Sequence, residues 1–245
     1  MKNLLMLSVL LSGALSFADT PPVGVQIVSV TARGTGCADG SARALVAPDG
    51  RTFSVFMDNY TATADPGFTL DRKTCTVNVN VASPPGWSFT LTSADYRGFI
   101  AADAGTQVSH QVLYSFDGAA PPNERPGFGN SPGRYSFLQK NFNGPMNQDY
   151  YVQNVIDPRA QLWSSCSGGA PSSLMIQTFL IAKINAPNRQ AQISLDTVDG
   201  ILAQNFSWNW RKCATPSDPA RNPMPSPPPG RGGRPPRFPF SSPGR

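Results

Sequence analysis

The sequence predicts an all-β protein: a single antiparallel β-sandwich of the jelly-roll or Greek-key type, held by disulfides and followed by a disordered C-terminal tail. Charged residues make up only 14% of the 245-residue chain, whereas valine, threonine and phenylalanine, which favour strands, are common. Short alternating segments recur between Pro, Gly, Asn and Asp residues, a spacing typical of two-sheet sandwiches. The sequence contains no long stretch with the periodicity of an amphipathic helix.

Residues 1–18 have the features of a secretory signal peptide. Lys2 supplies a positive charge, the run Leu4–Leu15 is largely apolar, and small side chains at Ser16 and Ala18 suit cleavage after Ala18. The apolar run is shorter than the roughly 20 residues of a transmembrane helix, and no later segment reaches that length. We therefore expect a secreted protein, at the cell surface or in a periplasm if not free in the medium, with no transmembrane insertion.

Four cysteines follow the signal: Cys37, Cys75, Cys166 and Cys213. An even number of cysteines in an oxidising compartment indicates disulfides. Of the three pairings, Cys37 with Cys75 and Cys166 with Cys213 is favoured, because each bond then closes one half of the chain. Each closed loop of about 40 to 50 residues contributes roughly 4 kcal/mol of stability. A zinc site is disfavoured because no two cysteines are close in sequence and His110 is the only histidine.

The clearest strand is 75–81, CTVNVNV, in which Cys75 and three valines share one face. This alternation points the Cys75 sulfur toward the core. The segment 87–92 repeats the alternation after the turn Pro84-Pro85-Gly86, which predicts a hairpin. Further strands are predicted at 25–30, 52–57, 107–116, 135–142, 150–156, 174–184, 192–198 and 202–210.

The segment 34–41, GTGCADGS, is interpreted as a turn fixed by a disulfide. A dinucleotide-binding G-x-G-x-x-G needs its third glycine one residue before Gly40 and a helix after it, and a phosphate loop needs a lysine that is missing here. Glycines beside Cys37 instead permit a tight turn, with positive φ where needed.

The net charge of +5 lies mostly outside the predicted domain, residues 19–213, which holds fourteen basic and fourteen acidic side chains. A neutral domain does not indicate nucleic-acid binding. Residues 214–245 hold eleven prolines and four glycines in 32 residues, a proline-rich composition that predicts disorder. This tail is either a solvated spacer or a basic tether, in which Arg231, Arg234 and Arg237 contact an anionic envelope polymer, lipid headgroup or extracellular nucleic acid.

Several motifs occur along the predicted domain in a recognisable order: Gly34-Thr35-Gly36-Cys37 with Gly40-Ser41, Phe53-Ser54, Asp58-Asn59-Tyr60, Arg72-Lys73-Thr74-Cys75, Pro85-Gly86-Trp87, Tyr96-Arg97-Gly98, Tyr114-Ser115-Phe116-Asp117-Gly118 and Trp210-Arg211-Lys212-Cys213. With these motifs, residues 23–213 resemble the secreted fungal and bacterial family known as domain of unknown function 4360. Ala38 departs from the proline that usually follows the first cysteine. The resemblance implies secretion and paired cysteines, and it implies no mechanism.

The sequence favours a non-catalytic protein and predicts no cofactor. His110 shares a strand face with Val108, Val112 and Tyr114, which favours a packed histidine over the base of a serine triad. The chain has no G-x-S-x-G elbow, and Glu124 is its only glutamate, which argues against a glycosidase pair. A secreted hydrolase with an Asp-based site stays as the alternative.

Two features are candidate binding sites. The Pro- and Gly-rich segment 117–134, with Glu124 and Phe128, has a length that is often functional. It is otherwise a variable surface excursion, or the bait loop of an inhibitor of secreted enzymes. Three aromatic residues share one face of a predicted strand: Phe206, Trp208 and Trp210. Facing solvent they would stack on sugar rings, whereas facing inward they would be core, which their size favours.

The predicted function is therefore a non-catalytic extracellular or envelope-associated module that binds a ligand or supports structure. The partner classes considered are a polysaccharide and an anionic envelope surface. Glycosylation sequons begin at Asn59 and Asn205 and matter only in a host that glycosylates.

Overall fold

The computed structural model describes residues 21–57, 60–117, 136–166, 169–195 and 204–213. The predicted signal and tail lie outside these residues, as do several predicted site residues: Asn59, Glu124, Phe128, Arg231, Arg234 and Arg237. Within the described ranges, no helix is long and apolar enough to cross a membrane.

The described residues form twelve strands. In chain order they are β1 Gln26–Arg33, β2 Ala42–Val46, β3 Thr52–Met57, β4 Tyr60–Ala64, β5 Leu70–Ala82, β6 Trp87–Ala102, β7 Thr106–Phe116, β8 Ser136–Asn143, β9 Met146–Val155, β10 Ser172–Ile184, β11 Ala191–Leu195 and β12 Gln204–Lys212. Each predicted strand overlaps one of these elements. The short strands β2 and β4 were not predicted from the sequence.

The strands form two antiparallel sheets that pack face to face. The five-stranded sheet has the order β1-β5-β10-β7-β8, and the seven-stranded sheet has the order β2-β3-β12-β6-β11-β4, with β9 also paired to β6. Alternating side chains from both inner faces form one apolar core. The predicted all-β antiparallel sandwich is confirmed.

The predicted hairpin between β5 and β6 is wrong. β5 pairs with β1 and β10, whereas β6 pairs with β9, β11 and β12, so the two strands belong to different sheets. The turn Pro84-Pro85-Gly86 carries the chain from one sheet to the other, and Gly86 adopts a φ of 80° that favours glycine. Alternation fixes which face of a strand is buried, but it does not identify the partner strand.

Strand β5 shows how alternation builds the core. Cys75, Val77, Val79 and Val81 are each at most 2% exposed, and full burial of a valine contributes about 1.5 kcal/mol or more. The predicted inward direction of Cys75 is confirmed.

Buried tyrosines connect the two sheets. The hydroxyls of Tyr96 on β6 and Tyr114 on β7 form a hydrogen bond, and the Tyr60 hydroxyl donates to the Thr178 carbonyl at 2.7 Å. Burial raises the pKa of Tyr114 to about 12, and it also raises the pKa of Tyr60 and Tyr96. These hydroxyls therefore stay protonated and keep their hydrogen bonds across the physiological range.

Both predicted disulfides are confirmed. Cys37 bonds to Cys75 with 5.4 Å between the Cα atoms, and Cys166 bonds to Cys213 with 5.9 Å. The first bond is buried in the core, whereas Cys166 is exposed. The described residues contain no free cysteine.

The turn before β2 uses glycine chiefly for close approach. A Cβ at Gly34 would collide with the Thr74 carbonyl, and one at Gly36 would collide with the Tyr60 ring. Gly40 has a φ of 79°, as expected for a tight turn. The interpretation of 34–41 as a packed turn agrees with this geometry.

Candidate functional site

The three aromatic residues that were candidates for sugar stacking lie in the core. Phe206, Trp208 and Trp210 are 0%, 4% and 2% exposed. Phe206 stacks on Phe53 with ring centroids 4.8 Å apart, and the Trp208 indole N–H donates to the Gly50 carbonyl at 2.7 Å. The three rings face inward and are part of the core, so they are not available to stack on a sugar.

His110 is also a core residue. It is fully buried, and its ring lies edge-on to Tyr96 at 4.8 Å and to Tyr150 at 5.9 Å between centroids. Burial lowers the pKa of His110 to about 3, so the imidazole is neutral and has no solvent access. The predicted packed histidine is confirmed.

The outer surface of the seven-stranded sheet presents a different set of side chains along β6 and β9. Inward-facing Tyr96 and Ile100 on β6, and Tyr150 and Val152 on β9, alternate with outward-facing neighbours. The outward-facing residues define the β6–β9 face: Ser93, Asp95, Arg97, Phe99, Ala101, Asn147, Asp149, Tyr151, Gln153 and Val155. The antiparallel register places Arg97 opposite Tyr151.

Tyr151 is the exposed aromatic residue of this face. Its side chain is 54% exposed, and the Arg97 guanidinium lies 5.5 Å from its ring centroid. A hydrogen bond to Asp95 raises the pKa of the Tyr151 hydroxyl. The ring is therefore open to solvent, and the Arg97 guanidinium lies within cation–π distance of it.

The motif Tyr96-Arg97-Gly98 supports this arrangement. Tyr96 points into the core, Arg97 points outward, and a Cβ at Gly98 would collide with the Ser194 carbonyl and the Tyr150 ring. Glycine at this position allows Tyr150 to pack beneath the sheet. The next residue along β9, Tyr151, is then directed to solvent.

The β6–β9 face continues onto β12 through Asn205. This residue pairs with Asp95 in register, and its side-chain oxygen accepts a hydrogen bond from the Ser54 hydroxyl at 3.2 Å. The Asn205 sequon therefore lies on a paired strand of this sheet.

A cleft of about 680 Å³ lies at one end of the β6–β9 face. Ala101 is one of its lining residues, and the register places Asn147 and Gln192 on either side of Ala101. Thr63 pairs with Gln192 and also lines the cleft. Turns at this end of the sandwich add Arg189. The volume is in the usual range for small-ligand sites.

Sequence reasoning did not single out Tyr151 or Arg97 as site residues. Tyr151 lies in a predicted strand and Arg97 in a motif of the family. Their pairing was not predicted because it joins positions 54 residues apart. The available signal was the doublet of Tyr150 and Tyr151. Because neighbouring strand residues face opposite sides, such a doublet directs one ring outward whichever ring is buried.

In the parts of the chain that the structure describes, no group of three or more His, Cys, Asp or Glu side chains is placed to hold a metal ion.

The described domain matches one known protein family over nearly its whole length. Residues 23–213 match the family described as Domain of unknown function (DUF4360). The chain belongs to this family. An "Uncharacterized secreted protein" of Arthroderma benhamiae is 28% identical over 194 residues, which cover 78% of this chain and 73% of that protein. With its two disulfides and this secreted relative, the DUF4360 protein is extracellular.

Among solved structures, the chain is similar to TmCBM61 in complex with beta-1,4-galactotriose. The match covers 76% of this chain and 90% of that chain, with 7% sequence identity and a TM-score of 0.23. At this TM-score the likeness carries no argument about the fold or the ligand of the DUF4360 protein.

Proposed function

We propose that this secreted protein is a non-catalytic binding module that holds an extended polysaccharide on the β6–β9 face. The observation that carries the proposal is Tyr151, an exposed ring that the Arg97 guanidinium contacts. An exposed tyrosine ring offers a flat apolar surface to the C–H groups of a sugar. Because its contacts already restrict the side chain, little conformational freedom is lost on binding.

The polar residues around Tyr151 suit sugar hydroxyls. Gln153, Asn147, Asn205 and Gln192 place side-chain amides on the same side of the sheet. Each amide both donates and accepts hydrogen bonds, and a sugar hydroxyl does the same. This complementarity favours a carbohydrate over a purely apolar ligand.

The length of the face favours an extended ligand. On β6 the face runs from Ser93 to Ala101, a stretch that at about 3.3 Å per residue extends over roughly 30 Å. A chain of several sugar units can lie along such a strand and contact Tyr151 and the end cleft together.

The carboxylates on this face favour binding over the alternative of an Asp-based hydrolase. Asp149 lies opposite Phe99, four residues along β6 from Asp95, a separation of about 13 Å along the strand. The two carboxyl groups of a glycosidase are about 5 to 10 Å apart.

A pull-down on insoluble polysaccharides and cell envelopes tests the proposal. We expect the mature protein to be retained on at least one polysaccharide, and Tyr151→Ala to bind that matrix about tenfold more weakly, equivalent to about 1.4 kcal/mol for one well-placed aromatic contact. Tyr151→Phe keeps the ring and should retain most of the affinity.

Val28→Ala is the matched control, because Val28 is an apolar side chain on β1 of the other sheet and is 51% exposed. It should bind like the parent protein. Absence of retention on every matrix, or equal binding by Tyr151→Ala, would overturn the proposal. Substrate turnover that is abolished by Asp95→Asn would favour the hydrolase alternative.

A further inference from the structure

The cleft at the end of the β6–β9 face is lined by two charged residues, Arg189 and Asp103. Arg189 lines the cleft and is exposed, and no carboxylate among the described residues forms an ion pair with it. The other charged lining residue, Asp103, already accepts a hydrogen bond from the Gln190 N–H at 2.8 Å. Arg189 is therefore available to an anionic group from a ligand.

The backbone around Arg189 is held in place by neighbouring turns. Besides accepting from Gln190, Asp103 donates its own N–H to the Gln190 carbonyl at 3.0 Å. Gly144, in the turn before β9, donates its N–H to the Thr106 carbonyl at 3.0 Å and packs so closely on Asp103 that a Cβ would collide with it. The backbone on one side of Arg189 is thus held by the two hydrogen bonds between Gln190 and Asp103.

The other lining groups match a sugar. Thr63, Asn147 and Gln192 supply a hydroxyl and two amides near Ala101, whose small side chain leaves room for a ring. A planar guanidinium binds a carboxylate through two parallel hydrogen bonds. A carboxylate and several hydroxyls on one ring are the groups of a uronic acid.

We propose that this cleft binds the uronate units of an anionic polysaccharide, with Arg189 as the carboxylate-binding residue. The inference rests on the proposed function and names the substrate class for the same face. Arg97, about four residues along β6 from the cleft, places a second cation some 13 Å away.

Paired ligands that differ only in charge test the inference. Oligogalacturonates and alginate oligomers are titrated calorimetrically, each beside its carboxyl-reduced, neutral counterpart. We expect at least one acidic oligomer to bind about tenfold or more tightly than its reduced form, as for one charge-assisted contact. Arg189→Ala should lose this preference and still bind the reduced form like the parent protein. Arg189→Lys should keep part of the preference.

Arg159→Ala is the control for net charge, because Arg159 is exposed and follows β9 at the end opposite the cleft. It should leave the preference for the acidic oligomer unchanged. Equal affinity for acidic and reduced forms, no binding of any oligomer, or an unchanged preference in Arg189→Ala would overturn the inference. The Tyr151→Ala pull-down judges the proposed function separately, since retention on a neutral matrix does not depend on Arg189.

Discussion

The outer faces of the two sheets differ in how far water reaches their side chains. On β7, an inner strand of the five-stranded sheet, outward-facing Ser109, Gln111, Leu113 and Ser115 are each at most 7% exposed. On the seven-stranded sheet, Tyr151 is 54% exposed, and its neighbours on β9 are mostly exposed. The surface over β9 therefore offers more side-chain area to a large ligand than the surface over β7.

Each face carries an arginine against an aromatic ring, which makes the comparison specific. Arg72 lies 4.7 Å from the ring centroid of Phe179, which is 7% exposed. Arg97 lies 5.5 Å from that of the half-exposed Tyr151. The same contact stabilises a covered surface in the first case and orients an open ring in the second. Exposure, not residue type, therefore separates a packing residue from a candidate ligand contact.

Exchange of the two rings for alanine should have opposite effects on stability and binding. We expect Phe179→Ala to lower the free energy of unfolding by about 3 kcal/mol, because a buried ring leaves a cavity, and to leave polysaccharide affinity unchanged in the folded fraction. Tyr151→Ala should lower it by less than about 1 kcal/mol, as at most surface positions. Urea denaturation measures both. Loss of polysaccharide affinity in folded Phe179→Ala would contradict the assignment of ligand binding to the β6–β9 face alone.

Acid should lower the free energy of unfolding through the buried His110. The pKa of His110 is about 3 in the folded protein and about 6.5 when unfolded, so the unfolded state binds the extra proton between these values. Stability should therefore fall with falling pH, by about 2 to 3 kcal/mol between pH 6.5 and 4.5. Urea midpoints across this range check it. In His110→Phe this decrease should disappear, and an equal decrease there would contradict the assignment.

Removal of residues 214–245 should have the smallest effect. The deletion removes five arginines against one aspartate, and we propose that these charges strengthen attachment to anionic envelopes. We expect a few-fold loss of envelope binding at low salt and no difference at high salt, because salt screens exposed charges. Retention on a neutral polysaccharide should be unchanged. Complete loss of that retention would locate binding in residues 214–245 instead of on the β6–β9 face.

The sequence predicted which residues are buried better than which residues meet. Alternation in 75–81 correctly directed Cys75 inward, and the simplest non-crossing pairing correctly joined it to Cys37. The hairpin prediction failed because the turn after β5 leads into a strand of the other sheet. The residues of a short turn do not show whether it joins strands of one sheet or of two. The predicted signal and tail lie outside the described residues and stay predictions.

The candidate site depended on long-range register. The sequence prediction chose the large aromatic residues Trp208 and Trp210, which are in the core, and missed Tyr151, whose ring is exposed. Its contact with Arg97 and the assembly of the cleft from turns at 103–105, 144–146 and 188–190 join distant parts of the chain. Local sequence does not show which distant residues pair, so these contacts could be identified only in the three-dimensional structure.

An NMR titration with a retained oligosaccharide tests most directly whether the open face binds the ligand. We expect the largest amide shift changes at residues such as Arg97, Asn147 and Tyr151, with Gln111 and Phe179 unchanged. Shifts confined to Gln111, Phe179 and their neighbours on the five-stranded sheet would contradict the account.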